Sequence, residues 1–338
     1  MSYLSVGDMA QAYQMRRHNA GLQGQLMRLT EELTSGVQAD LSAAVSGDFK
    51  ALAGLDQTLR DLDAFKTATS EADLFTGSLQ FALDSVQSMA EELSPSLLMA
   101  SSSSSPTLVG SISGEARQKF DAVVSALNTQ VADRYLLSGN ATDQKPISSA
   151  QDILDALMLA TAGQVTPAAI DATITAWFDA PAGGGGFVDM IYGGSNQPLA
   201  AFLVGPTDSV QIDTMATDPA LRDLLKGFAF GALVAEGILP GDLAGQAEIL
   251  KLSGETLLGA ADTLAGLRAG VGTVEAHIAD AATRNEAQRS ALTIARNEII
   301  SADPYDTASA LEAVQTQIET LYTLTARLSR LSLADYLR

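Results

Sequence analysis

Residues able to do chemistry are few in this chain and poorly placed for it. The only histidines, His18 and His277, each sit in a helical stretch with no second ligand at metal-binding spacing. A histidine-based zinc site therefore fails, and a surface or core role is the expectation for both. There is no cysteine, which removes disulfides, thiolate metal sites and a cysteine nucleophile. No Gly-x-Ser-x-Gly elbow occurs, and the run Gly183–Gly186 lacks the Lys-Ser or Lys-Thr needed to cradle phosphates, so it reads as a flexible turn. The carboxylate pairs Glu31-Glu32 and Glu91-Glu92 are sequence neighbours, which point apart on a helix and suit no two-carboxylate mechanism. Trp177-Phe178 could anchor a ligand or a neighbouring subunit, although a buried aromatic pair is ordinarily a small core. No catalytic, cofactor-binding or metal-binding residue is expected, and an enzyme has no positive feature to stand on.

Composition points the same way. A chain of 338 residues can bury a real core, and 46% hydrophobic content with only 5% aromatics means an Ala, Leu, Val and Ile interior that favours helix packing. Asp and Glu number 40 against 20 Lys and Arg, with no basic run, so a nucleic-acid backbone would be repelled. The segment Met1 to Gln25 is interrupted by Asp8, Arg16 and Arg17 and lacks the apolar heart of a cleavable signal. No stretch of about 18 apolar residues predicts a membrane span.

The elements are legible from apolar spacing. Leu22, Leu26, Leu29 and Leu33 form one helical seam that stops at Thr34-Ser35-Gly36. A second helix begins at Leu52 and continues, after a slip near Lys66, through Ala72, Phe75, Leu79, Ala82, Val86, Met89 and Leu93. The serine run Ser101–Ser105 with Pro106 ends it and turns the chain back. A third helix is predicted from Ser113 to about Leu137, stopping at Ser138-Gly139-Asn140 and pairing antiparallel with the second. Between residues 151 and 180 short helices are expected. Phe187 to Tyr192, Leu199 to Val204 and Ser209 to Thr214 read as hairpin strands among glycine-rich turns. Asp218-Pro219 opens a further helix, a long one runs from Val271 to Ala302, and Asp303-Pro304 starts the last.

The first and last helices each carry a narrow apolar stripe, and burying those stripes needs a partner helix. Pairing them is the simplest solution, and the candidate assembly interface is Leu22, Leu26, Leu29 and Leu33 with Leu311, Val314, Ile318, Leu321, Leu328 and Leu331. A long monomeric coiled coil has the same periodicity. The expected fold is mainly α: an elongated coiled-coil bundle of N- and C-terminal helices with a smaller α+β central region containing β-hairpins. The expected divisions are 1–50 for N-terminal assembly, 51–146 for an antiparallel helical rod, 147–260 for a variable centre, and 261–338 for the C-terminal rod and assembly segment.

Three stretches resemble the flagellin superfamily. The first is Glu32-Leu33-Thr34-Ser35-Gly36, although Gln38-Ala39-Asp40-Leu41 replaces the Asp-Asp-Pro-like element that commonly follows. The second is Leu127-Asn128, then Asp133 to Thr142, closed by Pro146; the third runs from Gly270 to Leu337 and ends Leu331-Ser332-Leu333-Ala334-Asp335-Tyr336-Leu337. The second and third are most similar to the family's hook–filament junction members. The resemblance implies a secreted structural protein exported by the flagellar type III apparatus without signal cleavage. It also implies copies of itself stacked as a ring at the end of the hook, next to a hook-associated protein and flagellin, with an export chaperone as a further partner. From composition and motifs, no cofactor, no nucleic acid and no membrane partner is expected. The alternatives are a filament flagellin and, more remotely, another secreted coiled-coil adhesion protein.

Overall fold

A computed structural model describes the backbone of residues 6–336, and their side chains apart from those of 6–8, 11, 12 and 328–336. In chain order the elements are α1 (Val6–Ser35), α2 (Leu41–Ala44), α3 (Lys50–Ser101), α4 (Pro106–Leu127), β1 (Gln130–Val131), β2 (Arg134–Tyr135), α5 (Ala150–Ala160), α6 (Pro167–Asp179), α7 (Phe187–Met190), β3 (Phe202–Leu203), β4 (Ser209–Val210), α8 (Pro219–Ala235), α9 (Leu243–Ile300) and α10 (Pro304–Tyr336). The architecture is mainly α, with long helices toward both ends of the chain and two small antiparallel hairpins, β1–β2 and β3–β4. Residues divide into two compact units, one made of Met1–Asp63 with Glu286–Arg338, the other of Ala64–Asn285.

The second unit holds most of the core. Along α3 the buried positions Ala72, Phe75, Leu79, Leu83, Val86, Ala90, Leu93 and Leu97 recur at helical spacing. The helix passes through Pro95 to Ser101, although proline removes one amide donor, because Leu97 and Ala100 beyond it are fully buried. The chain then turns at the serines, where the Ser105 side chain accepts from the Leu108 amide and Pro106 takes the first turn of α4. Helix α8, capped by Asp218, is buried nearly all round between α4 and α9. Two glycines permit that closeness. A Cβ at Gly227 would stand 2.7 Å from the Leu257 side chain, and one at Gly231 would stand 2.8 Å from the Ala116 Cβ. The Ser253 hydroxyl on α9 donates to the Gly227 carbonyl at 2.6 Å, so this buried polar group is satisfied across the helix pair.

Several expectations are corrected here. Helix α4 stops at Leu127 rather than near Leu137, where the Asn128 side chain caps its end by bonding the backbone of Ile147. Its Nδ2 donates to the Ile147 carbonyl at 3.0 Å and its Oδ1 accepts from the Ile147 amide at 3.0 Å. The β1–β2 hairpin follows, turning through Ala132 and Asp133 at positive φ without a glycine to signal it. Phe187 to Tyr192 forms no strand pair of its own length: Phe187–Met190 is a helical turn, and Tyr192 makes a single bridge to Ile147. The other two runs contribute only β3 and β4, paired as Phe202 with Val210 and Leu203 with Ser209. Helix α9 begins at Leu243, well before Val271.

The centre is tied down by backbone. Ser195 donates its amide to the Ser138 carbonyl, Asn140 to Gln197, and Gly193 to Pro146. Gly139, at φ +59, has room for no Cβ, which would lie 2.7 Å from the Ser195 carbonyl. Trp177 and Phe178 do form a small core, meeting edge to face at 5.0 Å, with Phe187 stacked 5.6 Å from Phe178. The glycine run is not a loose turn. The Asp189 carboxylate accepts from the Gly183 amide at 2.8 Å and the Gly185 amide at 2.6 Å, and these bonds hold its pKa below the ordinary carboxylate value.

Candidate assembly interface

Both ends of the chain build the first unit. Helix α1 stops where Gly36, at φ +70, donates its amide back to the Glu32 carbonyl at 2.8 Å. The next residues do not wander. Val37 forms an antiparallel bridge with Ser301, Gln38 donates its amide to the Ile300 carbonyl at 2.8 Å, and Ala302 donates to the Gly36 carbonyl at 3.0 Å. Helix α10 restarts at once: Pro304 fills its first turn, and the Asp303 carboxylate accepts from the amides of Tyr305 at 2.8 Å and Asp306 at 3.2 Å. This clamp puts the end of α1 beside the start of α10, and since the two helices pack together they run antiparallel.

The predicted seam residues lie on those two helices. Leu22 and Val314 are buried; Leu26, Leu29, Leu311, Ile318 and Leu321 are half-buried; Leu33 is 40% exposed. Leu328 and Leu331 lie on α10, but their side chains fall outside the described residues. Within one chain, then, each stripe partly covers the other, as the pairing read from the spacing expects. In the same unit, Asp56 and Asp63 of α3 bond Arg296 at 2.7 Å and Arg289 at 2.9 Å on the last turns of α9. The Asp63 bond raises the Arg289 pKa further above its already high value.

Sequence spacing missed two outward surfaces. Met9, Tyr13 and Met27 are 61%, 64% and 68% exposed. At 3.6 residues per turn they share one face of α1, turned away from Leu22. Beside it runs an open groove lined by Gln14, Arg17, His18, Gly21, Leu22, Gln25 and Arg28. The spacing of three arginines in a helix without carboxylates between Met9 and Thr30 was the available signal. His277, the other histidine, belongs to the second unit. There its Nε2 lies 2.9 Å from one oxygen of Asp208, and Arg284 donates to the other at 2.8 Å. Asn285, buried, donates to the Val204 carbonyl at 2.8 Å, so the β3–β4 turn is pinned to α9. Among the described residues, no group of three or more His, Asp or Glu could hold a metal, and no helix is long and apolar enough to cross a membrane.

Comparison with known proteins adds one match by sequence family: residues 256–337 match the bacterial flagellin C-terminal helical region. That span covers the second part of α9 and all of α10. Among solved structures, FlgL of Bacillus cereus is 14% identical with a TM-score of 0.49, over 71% of this chain and 96% of that one. A Vibrio parahaemolyticus chain described as a flagellar hook-associated protein is 13% identical with a TM-score of 0.42, over 73% of this chain and 99% of its own. No curated protein sequence matches this chain.

Proposed function

We propose that the chain is a structural, non-enzymatic subunit of the bacterial flagellum's external axis, placed where the hook meets the filament. The observation that carries this is the coincidence of two facts. The stretch matching the flagellin C-terminal helical region contains α10, and α10 packs against α1 in one unit built from both ends of the chain. A pair of long helices with half-buried stripes leaves apolar area that neighbouring copies would cover, at about 25 cal/mol per Å². In this reading Leu22, Leu26, Leu29 and Leu33 with Leu311, Val314, Ile318, Leu321, Leu328 and Leu331 form the assembly seam. The partners are further copies in a ring, the adjacent hook-associated protein, flagellin and an export chaperone. The protein acts outside the cell after type III export.

The junction position, as opposed to the filament, is supported by the sequence patterns at Leu127–Pro146 and at Leu331–Leu337. The flagellin match itself favours the second reading, a filament subunit. Electron microscopy of a deletion strain separates them when combined with copy number. Free hooks lacking filaments, with a few copies per wild-type flagellum, are the expected result. Thousands of copies per flagellum would assign the chain to the filament, and intact hooks with normal filaments in the deletion strain would remove it from both places.

A further inference from the structure

We infer that the basic groove of α1 receives the acidic outward row of α10, Glu312 and Glu319, from a second copy of the chain. The inference rests on the reading of this protein as an axial subunit, and it names the surface by which one copy would meet the next.

Charge is the first observation. The chain carries twice as many acids as bases, yet α1 has no Asp or Glu from Met9 to Thr30 while holding Arg16, Arg17, His18 and Arg28. Arg17, His18 and Arg28 line the groove with Gln14, Gly21 and Gln25, and a Cβ at Gly21 would touch nothing, so the groove is open there. In a chain of net charge −20, copies repel unless a local patch of opposite sign offsets the field.

The complementary row lies on α10. Glu312 and Glu319 are exposed, seven residues apart. At 3.6 residues per turn both point away from the face of Leu311, Val314, Ile318 and Leu321 that packs on α1. A helix cannot turn this row into the groove of its own partner without exposing the seam. A second copy can. Along the helix axes the carboxylates stand about 10 Å apart and Arg17 and Arg28 about 16 Å apart, at about 1.5 Å per residue. The long arginine arms span that difference. Contacts of this kind steer encounter and fix register more than they add affinity.

The absence of cysteine gives a clean test. Full-length chain carrying Gln25→Cys in the groove and Thr316→Cys beside the acidic row is expressed in the deletion strain. Sheared flagella are oxidised and run on a non-reducing gel. A ladder of dimers and higher multimers is expected, absent from either single variant. Adding Arg28→Glu should cut the cross-linked fraction at least tenfold, and adding Glu312→Arg to that variant should restore it. Chain present in the flagella without a ladder overturns the inference and leaves the axial reading standing. So does a ladder indifferent to Arg28→Glu, a dimer from Gln25→Cys alone, or a cross-link to a different protein. Flagella that contain none of the chain overturn the axial reading, and this inference with it.

Discussion

Asp189 shows how one side chain can organise backbone that looks structureless in sequence. Gly183 and Gly185 take positive φ, a Cβ at Gly184 would stand 2.9 Å from the Pro181 carbonyl, and one at Gly186 would stand 2.5 Å from the Ala180 Cβ, so all four glycines answer a conformational or spatial demand. What they wrap is a carboxylate held ionised by two amides, and the sign of the pH effect follows. The folded pKa is depressed, so the stabilisation is complete above the unfolded value and fades as pH falls through the lower, folded one. Asp189→Ala should therefore increase protease cleavage between residues 181 and 187 at neutral pH. Once the pH falls below the depressed folded pKa, the wild type should approach the variant. Equal cleavage of both at neutral pH would show that the carboxylate does not hold the turn. From sequence the run was a flexible turn, since nothing in four glycines announces the acceptor that orders them.

At the scale of elements, periodic stripes were readable, as were the breaks marked by Gly36, Pro106, Pro219 and Pro304, whereas boundaries set by distant contacts were not. Leu22 to Leu29, Ala72 to Leu93 and Leu311 to Leu321 lie on packed faces, because a heptad pattern records burial directly. The end of α4 escaped because its stop signal is a side chain bonding a residue far along the chain, Asn128 to Ile147. The start of α9 escaped because small residues such as Gly254, whose Cβ would sit 2.8 Å from Leu98, pack closely without an apolar signature. Part of the candidate surface was likewise hidden: spacing found the apolar stripes of α1 and α10, but not the bridge at Val37 and Ser301 or the basic groove. Leu321→Asp tests the seam. Losing a half-buried leucine should lower the stability of the α1–α10 pair by about 1–2 kcal/mol in a single chain. The larger cost of burying a carboxylate should arise only when copies cover it. Thermal unfolding should thus show a modest change, while complementation of the deletion strain should yield hooks without filaments. Glu319→Ala, off the stripe, should leave the stability of the single chain within about 0.5 kcal/mol. Normal filaments with Leu321→Asp would take the seam out of the mechanism.

For the whole molecule, the two units differ in how much apolar surface they bury. Ala64–Asn285 contains a continuous cluster from Ala72 to Ala281, whereas the first unit has Leu22, Leu52, Leu62, Ile300, Ala302 and Val314 as its buried apolar side chains among the described residues. Sparse burial means cheap local opening. Limited proteolysis of the dilute protein should trim roughly the first 40 and last 40 residues early and leave a resistant middle; resistance of the full-length chain would contradict that. The bridge between Val37 and Ser301 carries a further consequence, one of time. Helix α1 is completed by a helix made much later, and at about 5–20 residues per second on the ribosome roughly 300 residues pass in about 15–60 s. Through that interval α1 is a nascent amphipathic segment without its mate, although most of the chain between is already free to fold. Its exposure is then a property of birth order, the same in every newly made copy, and whatever first shields that segment in the cell must do so before α10 is made.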